Sequence, residues 1–336
     1  MKTTSTASSK TLNSTPALAI FGLGRMGGQI ARRLTSKGFP VIAWNRSPEP
    51  VEEIRKAGVS ATADLAGAVT LLYEKTDPKQ PRIFWVMLPH KIVDDFIFGT
   101  EHLGQFLRKG DIVIDGGNSY YKDSMKRAAK LAKKGIHFFD CGTSGGVHGE
   151  KNGFALMIGG EKKVWHIVEP IFEALSSGPG TGPEASGYNY ALLGKAGAGH
   201  FTKMVHNGIE YGMMEAIGEG YAVLEASPFK LNLTDVTRVY QKGSVVRSWL
   251  IDLCRNIFEH ENVKGTVGKI DATGEGEWTV KAGEEFGVDV RVIRSSLDVR
   301  RESAEPKNQK KYSNKIVALL RKQFGGHAIY SKTDAV

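Results

Sequence analysis

The feature that most restricts the fold of this 336-residue chain is a glycine-rich turn between an apolar run and a helical pattern. The apolar run covers residues 17–21, the helical pattern covers 26–37, and the turn consists of Gly22, Leu23, Gly24, Arg25, Met26 and Gly27. In such a turn the first glycine makes a tight bend, the second lets a pyrophosphate approach the backbone, and the third allows close helix packing. The helix N-terminus adds free N–H groups and a positive dipole end. These six residues are therefore predicted to bind a dinucleotide.

The end of the second apolar run, residues 39–44, bears on which dinucleotide binds. At this point an NAD enzyme carries an acidic residue that binds the ribose hydroxyls. This chain has Asn45, Arg46 and Ser47 instead. A guanidinium and neutral polar groups suit a 2′-phosphate, so these three residues are predicted to bind NADP, with NAD as the alternative. The competing interpretation is that Arg46 is an exposed turn residue.

Short apolar runs alternate with helical patterns as far as about residue 160, with predicted strands at 17–21, 41–44, 83–88, 111–115, 137–140 and 154–158. This alternation predicts an α/β fold with a doubly wound, mostly parallel Rossmann sheet. Helical patterns then take over, at 200–224, 234–242, 246–260, 279–286, 292–302 and 310–323. We therefore predict a Rossmann domain over 16–194 and an all-α domain over 195–336. Residues 1–15 are predicted to be a disordered extension, with organelle targeting as the alternative.

Three loops that follow predicted strands carry unusual residues. Met87 and Leu88 end one strand, residues 115–119 follow the next, and residues 142–146 follow a third. Ligands bind at the carboxyl ends of strands in such sheets, so these loops are predicted to line a cleft. Ordinary turn chemistry of Asn, Ser and Gly is the competing interpretation for each loop.

The segment 194–214 carries the clearest chemical pattern. If it is helical from residue 200, helical spacing aligns Lys203, Asn207, Glu210, Tyr211 and Met214 along one stripe. An ammonium, an amide and a carboxylate on an apolar face cost free energy if buried without partners. They suit a site where one group takes a proton and another delivers one. The alternative is a surface ion pair between Lys203 and Glu210. Gly194, Gly197 and Gly199 count against that alternative because glycine lets a ligand or a helix come close to the backbone.

The charge balance predicts an anionic partner, because 45 Lys and Arg residues face 36 Asp and Glu residues, for a net charge of +9. A phosphorylated substrate and a dinucleotide account for this excess, and no basic block is interleaved with aromatic residues as in nucleic-acid modules. No apolar run has the length of a membrane span. Cys141 and Cys254 lack the spacing of a metal or redox site, and we predict a cytoplasmic protein without a metal ion.

Several motifs, in order, resemble the 6-phosphogluconate dehydrogenase family in its short-chain form. They are GLGRMG, NRS, DGGNSYYKDS, SGG, GHFTKMVHNGIEYG and FGGHAIY, and the resemblance runs from about residue 17 to the C-terminus. It implies oxidative decarboxylation of 6-phosphogluconate to ribulose 5-phosphate and CO₂ in the pentose phosphate pathway and gluconate utilisation. The cofactor it implies is NADP, with NAD as the alternative.

The resemblance also implies roles for individual residues. Lys203 and Glu210 match the catalytic base and acid. Positions that bind the substrate match Asn118, Ser144, Gly145, Gly146, His206, Asn207, Tyr211, Arg300, Arg321 and His327. Met87, Leu88 and Asn118 are expected at the cofactor. Thr273 stands before Trp278 where longer members of the family have a phosphate-binding lysine, so phosphate recognition is expected to depend on the arginines.

The resemblance places the C-terminal tail in a neighbouring subunit. Arg321 and His327 match a pair that reaches the partner's site in the family, so a homodimer or homotetramer with exchanged tails is expected. Two other functions stay open. A non-decarboxylating β-hydroxyacid dehydrogenase would share Lys203 and Asn207 but not necessarily Glu210 or the tail. A non-catalytic regulatory protein that binds a dinucleotide, or nucleic acid, would keep only the fold.

Overall fold

The computed structural model of the chain describes residues 15–178, 187–271 and 274–330. The predicted extension falls outside these ranges except for its last residue. In the described part, the N-terminal half contains an eight-stranded sheet. Its strands are β1 (Leu18–Phe21), β2 (Val41–Trp44), β3 (Ser60–Thr62), β4 (Ile83–Val86), β5 (Ile112–Asp115), β6 (His137–Ser144), β7 (Ala155–Gly159) and β8 (Tyr190–Gly194).

The strand order creates a crevice directly above the glycine-rich turn. The order is β3-β2-β1-β4-β5-β6-β7-β8, so the chain crosses from the β3 edge back to β4 beside β1. Strands β1 to β6 pair in parallel, whereas β7 is antiparallel to β6 and parallel to β8. In open α/β sheets, ligands bind where the strand order reverses, outside the carboxyl ends of the strands. The turn after β1 lies at this switch point.

Helices cover both faces of the sheet and bury its side chains. They are α1 (Arg25–Ser36), α2 (Pro48–Lys56), α3 (Leu65–Lys75), α4 (His90–Phe98), α5 (Tyr121–Ala132), α6 (Gly149–Asn152) and α7 (Trp165–Leu175). Successive side chains of a strand point to opposite faces. Ile20 of β1 accordingly joins one apolar cluster with Leu34, while Phe21 joins another with Phe84 and Phe96.

The C-terminal half is helical and is organised around one long helix. Its members are α8 (Ala198–Ala226), α9 (Leu233–Gln241), α10 (Trp249–His260), α11 (Glu275–Phe286), α12 (Arg291–Glu302) and α13 (Tyr312–Gly325). Helices α11, α12 and α13 all pack on α8. Met214 of α8, Ile257 of α10 and Leu319 of α13 are fully buried in the shared apolar core. The helix α8 therefore connects the sheet to the helical core.

The predicted fold class is confirmed, with a Rossmann sheet followed by a helical domain. Sequence patterns missed β3 and β8. Strand β3 has only three residues and Ser60 is exposed, and β8 is an edge strand with exposed residues, so neither has the apolar pattern of a buried strand. The domain division at residues 194 and 195 stays a prediction, and it falls between the end of β8 and the start of α8. No helix within the described ranges is long and apolar enough to cross a membrane.

Candidate active site

A cleft of about 810 Å³ lies between the carboxyl edge of the sheet and α8. Its walls come from the glycine-rich turn, the loops after β4, β5 and β6, and the helices α8, α12 and α13. The predicted site residues that line it are Gly24, Arg25, Met26, Gly27, Met87, Leu88, Asn118, Ser144, Gly145, Gly146, Lys203, His206, Asn207, Glu210, Tyr211, Arg300, Arg321 and His327. Five predicted cofactor residues lie behind or beside this lining: Gly22, Leu23, Asn45, Arg46 and Ser47.

The glycine-rich turn has the shape that a pyrophosphate requires. Gly22 adopts φ +104°, and a Cβ on Gly27 would stand 2.0 Å from the Gly22 carbonyl oxygen. No atom lies within 4 Å of the Cβ position of Gly24, which leaves room at the start of α1. The first turn of α1 has no acidic residue, and no side-chain hydrogen bond caps it. Its N-terminus can therefore receive the phosphates of a dinucleotide.

The residues after β2 form a polar corner beside this turn. Asn45 Oδ1 accepts a hydrogen bond from the Leu23 backbone N–H at 3.0 Å, and Asn45 Nδ2 donates to the Ser47 carbonyl at 3.1 Å. Asn45 therefore ties the corner to the turn. Arg46 is exposed and has no hydrogen bond or ion pair among those described. Its role as a 2′-phosphate ligand stays a prediction.

A buried ion pair supports the loop after β5. Arg127 Nη1 donates to Asp115 Oδ2 at 2.8 Å, and both side chains are almost fully buried. Asp115 also accepts from Ser119 Oγ at 2.8 Å and from the Gly117 N–H at 3.2 Å. Removing one partner of such a pair leaves a buried charge without compensation. This network holds Asn118 at the edge of the cleft.

The start of α8 is fastened to the sheet by one carboxylate. Asp140 of β6 accepts from the backbone N–H groups of Gly197 and His200, at 2.6 and 2.7 Å. Negative charge at a helix N-terminus is favourable. Gly142 of β6 lets the helix come close, because a Cβ there would lie 2.3 Å from Lys203 Cβ. The strand therefore sets the position of Lys203.

The predicted stripe of α8 faces the cleft. Lys203 Nζ donates to Asn207 Oδ1 and lies 3.4 Å from His206 Nδ1, while a Glu210 oxygen lies 3.8 Å from the same His206 nitrogen. Burial lowers the pKa of Lys203, against the opposing charges of Glu210 and Glu275. Burial also raises the pKa of Glu210 and lowers that of His206. Burial thus shifts the pKa of both groups toward their uncharged forms on one face, and no ion pair between Lys203 and Glu210 is present among the described contacts.

The loop after β6 meets this stripe and the C-terminal helix. Ser144 Oγ lies 3.3 Å from His206 Nε2. A Cβ on Gly146 would stand 2.0 Å from the Phe324 carbonyl oxygen, so only glycine lets the end of α13 pack there. The Ser144–Gly146 segment therefore touches both the acid–base stripe and the end of α13.

A carboxylate that sequence reasoning missed lies at the centre of the cleft. Glu275, the first residue of α11, is buried, and its Oε1 accepts from Asn207 Nδ2 at 3.0 Å and from Asn118 Nδ2 at 2.5 Å. The local sequence shows only an acidic residue after a glycine, a pattern typical of a helix start. Gly274 is the N-cap of α11 and takes a left-handed conformation. Nothing in that signal points to residues far away in the sequence.

Two buried arginines make the other end of the cleft cationic. The Arg300 guanidinium lies 3.2 Å from the centroid of the Tyr211 ring, and its Nε is 3.4 Å from Glu215 Oε1. Burial and the neighbouring Arg300 lower the pKa of Arg321. Burial, with Arg321 next in importance, lowers the pKa of His327 to about 4. Burial raises the pKa of Glu215 to about 7. The guanidinium groups of Arg300 and Arg321 are buried, and positive charge in a buried environment attracts an anion strongly.

Two family models together match most of the chain. The NAD binding domain of 6-phosphogluconate dehydrogenase matches residues 17–190, and the C-terminal domain of the same enzyme matches residues 199–333. The chain belongs to the 6-phosphogluconate dehydrogenase family. It is an oxidoreductase of that family with a nicotinamide-dinucleotide-binding domain.

Individual relatives agree with this membership. The chain is 40% identical to YqeC of Bacillus subtilis (strain 168) over 316 residues, which cover 94% of this chain and 99% of that protein. It is 35% identical to the NAD(+)-dependent, decarboxylating 6-phosphogluconate dehydrogenase of Haloferax volcanii, over 94% of this chain and 99% of that enzyme. The decarboxylating enzyme of Haemophilus influenzae is also 35% identical, but the chain spans only 58% of its length.

Solved structures give the same fold. The 6-phosphogluconate dehydrogenase of Plasmodium falciparum superposes with a TM-score of 0.75 and 27% identity, over 85% of this chain and 62% of that one. A 3-hydroxyisobutyrate dehydrogenase of Mycobacterium tuberculosis superposes with a TM-score of 0.68 at 20% identity, over 91% of this chain and 99% of that one. The second likeness concerns the fold alone.

One expectation from the family resemblance concerns the C-terminal tail. Arg321 and His327 were expected to enter the site of a neighbouring subunit, yet both line the cleft of their own chain. The reason is that α13 packs along α8 of the same chain, and Arg25 donates a hydrogen bond to the Gly325 carbonyl. Within one chain the cleft thus contains both residues, and tail exchange between subunits stays a prediction. Thr273, where the family lysine is absent, lies outside the described residues.

Proposed function

We propose that the chain catalyses oxidative decarboxylation of 6-phosphogluconate to ribulose 5-phosphate and CO₂. The observation that carries the proposal is the α8 stripe, where Lys203, with a lowered pKa, and Glu210, with a raised pKa, share one face of the cleft. The cationic end of the same cleft supports a phosphorylated substrate over an uncharged one.

The first chemical task falls to Lys203. A nicotinamide cofactor held at the glycine-rich turn would supply the acceptor for the hydride that leaves C3 of the sugar acid. Lys203 takes the proton of the C3 hydroxyl, which requires a neutral amine at the start of the reaction. Its lowered pKa brings that state closer to neutral pH, and general bases work best when their pKa lies near the operating pH.

The second task is to stabilise the electrons that remain when CO₂ leaves. The Lys203 ammonium, formed in the first step, faces the developing enolate oxygen and stabilises its charge in a water-poor site. Glu210 then delivers a proton to C1 of the enediol. Burial raises the pKa of Glu210, which shifts it toward the protonated form that this step requires.

The third task is to hold the phosphate. Arg300 and Arg321 are both buried, and they lie close enough for Arg300 to lower the pKa of Arg321. Two buried like charges repel, and an anion between them removes that repulsion. Charge-assisted hydrogen bonds from arginine to phosphate are among the stronger ones in proteins. We assign the phosphate end of the substrate to this pair.

For the cofactor we propose NADP in preference to NAD. Asn45, Arg46 and Ser47 supply no acidic group to bind a free 2′-hydroxyl or to repel a 2′-phosphate. The Haloferax relative is named as NAD(+)-dependent, so NAD is the alternative that the assay must include.

The deciding experiment follows reduction of NADP and of NAD spectrophotometrically with 6-phosphogluconate, and collects released CO₂ in parallel. We expect one CO₂ for each nicotinamide reduced, with NADP preferred. Unphosphorylated gluconate and 3-hydroxyisobutyrate serve as controls. Reduction without CO₂ would identify a non-decarboxylating β-hydroxyacid dehydrogenase. Lack of reduction with every pair, despite cofactor binding, would contradict the proposal.

A further inference from the structure

Glu275 is buried at the point where three parts of the molecule meet. It opens α11, and its Oε1 accepts from Asn207 Nδ2 on α8 and from Asn118 Nδ2 in the loop after β5, at 3.0 and 2.5 Å. Asn207 in turn accepts a hydrogen bond from Lys203 Nζ through its Oδ1. A continuous chain of hydrogen bonds thus runs from Glu275 to the proposed base.

The chemistry of these groups allows only one orientation of the Asn207 amide. An ionised carboxylate only accepts hydrogen bonds, whereas an amide has one accepting oxygen and one donating NH₂ group. A flipped Asn207 would face its oxygen to the Glu275 carboxylate and its NH₂ to Lys203. The hydrogen bonds of Asn207 to Lys203 and to Glu275 would both be lost, at the cost of unsatisfied buried groups.

This orientation matters to Lys203 because a neutral amine has a single lone pair. With the amide oxygen facing it, Lys203 donates an N–H and its lone pair stays available to receive a proton. With the NH₂ facing it, that group would donate to the lone pair and block the base. The Glu275 carboxylate on α11 therefore determines whether the Lys203 amine on α8 can act as a base.

We propose that Glu275 is a positioning residue that fixes the Asn207 amide with its oxygen toward Lys203, so that the Lys203 lone pair remains free. The proposal rests on the proposed function in taking Lys203 as the general base. It adds a second carboxylate to the site beside Glu210, one that acts through Asn207 and not on the substrate.

The charge of Glu275 gives a second, measurable consequence. The groups that face Lys203 are Glu210 and His206 on α8 and Glu275 on α11. Both carboxylates raise the pKa of Lys203 against the larger lowering by burial, and Arg300 and Arg321 act on Glu210. Removing the Glu275 charge should lower the pKa of Lys203 further. The acid limb of the rate profile would then move to lower pH, because neutral Lys203 would persist there.

The test compares three variants. In Glu275→Gln the side-chain oxygen can still accept from Asn207, so we expect kcat within a few-fold of wild type and an acid limb at lower pH. Glu275→Ala removes the acceptor, and kcat should fall roughly 10- to 100-fold, less than loss of an acid–base group itself, with little change in KM. Glu277→Gln is the control, since Glu277 lies on the same helix but pairs with Lys281 at the surface.

A readout independent of turnover separates this proposal from the proposed function. The pH dependence of Lys203 acylation by acetic anhydride is followed by peptide mass spectrometry in the full-length protein. The titration midpoint of Lys203 should lie lower in Glu275→Gln than in wild type and be unchanged in Glu277→Gln. An unmoved midpoint in Glu275→Gln, or wild-type kcat in Glu275→Ala, would overturn the positioning role. Failure of wild type to oxidise 6-phosphogluconate would contradict only the proposed function.

Discussion

At the scale of single residues, replacing Lys203 should slow the chemical step without weakening cofactor binding. We expect Lys203→Met to lower kcat by about 10²- to 10⁴-fold, the usual contribution of a positioned acid–base group. The dissociation constant of NADP should stay near the wild-type value, because the glycine-rich turn lies on the Rossmann side of the cleft. Steady-state kinetics and fluorescence titration with NADP measure the two effects. Lys195→Met, at an exposed position just before α8, is the matched control. More than about a hundredth of wild-type turnover in Lys203→Met would count against its role as the base.

Arg46 is the residue whose replacement should change cofactor preference. Arg46→Ala is expected to raise KM for NADP far more than KM for NAD, since hydrogen bonds to a charged group contribute about 1.5–3 kcal/mol. The ratio of kcat/KM for the two cofactors is the measurement. Equal losses for both would mean that Arg46 packs against the cofactor without contacting its 2′-phosphate.

At this scale, site residues that lie close together in the sequence could be predicted, whereas those that lie far apart could not. Helical spacing was enough to align Lys203, Asn207 and Glu210, because i, i+4 and i+7 positions share a face whatever the rest of the chain does. Glu275 is 68 positions from its hydrogen-bond partner Asn207. Only the packing of α11 on α8 brings them together, and no local pattern encodes that contact.

At the scale of secondary-structure elements, α8 contains two glycines with opposite expected responses to alanine. A Cβ on Gly208 would lie 2.7 Å from Thr279 Cγ2 of α11, whereas nothing lies within 4 Å of the Cβ position of Gly220. Gly208→Ala should therefore destabilise the fold by about 1–3 kcal/mol through overpacking. Gly220→Ala should stabilise it by about 0.5–1 kcal/mol through lower backbone entropy in the unfolded chain.

Denaturant unfolding of the two variants beside wild type gives both changes in one experiment. Because the substitution is the same and the helix is the same, helix propensity cancels between the variants. Equal stability of the two would show that α8 and α11 are not in close contact at Gly208.

Strands with a clear apolar pattern could be predicted from the sequence, whereas strands without one could not. The runs that became β1 and β4 are fully buried and apolar, so composition alone marks them. In β8 the residues Ala191, Leu193 and Gly194 are exposed. Strand β8 forms because β7 offers it a pairing edge, which is a property of the sheet and not of the segment.

At the scale of the whole molecule, the placement of the C-terminal tail predicts a complementation result. Lys203→Met and Arg321→Ala proteins are mixed, dissociated and reassembled. If Arg321 serves the cleft of its own chain, as its position in the single chain indicates, every site would lack one of the two residues and activity should not return. Wild-type protein taken through the same procedure is the control for recovery. Restoration to about a quarter or a half of wild-type activity would mean that tails are exchanged in solution.

An exposed apolar stripe on α8 supports the predicted homodimer. Ile209, Met213 and Val223 are 54%, 40% and 71% exposed and follow each other along one side of the helix, and Ile209 and Met213 also line the cleft. A second copy related by a two-fold axis would cover the same stripe on both chains. Val223→Glu should therefore shift the protein toward monomer in sedimentation equilibrium. Glu219→Gln, at another exposed position of α8, should leave the assembly unchanged. A monomeric wild-type protein would contradict the prediction.

Arg25 lies near the N-terminus of the described chain and donates a hydrogen bond to the carbonyl of Gly325, which lies near its C-terminus. This hydrogen bond connects two walls of the cleft. Arg25 opens the helix whose N-terminus faces the predicted pyrophosphate site, and Gly325 ends the helix that carries Arg321. A ligand that shifts the start of α1 or the end of α13 changes the free energy of ligand binding at the other helix end. Such coupling is reciprocal, so the factor by which the dinucleotide alters affinity for the sugar-acid phosphate must equal the factor in the opposite direction. We therefore expect the two proposed ligands to alter each other's affinity through this contact within one chain.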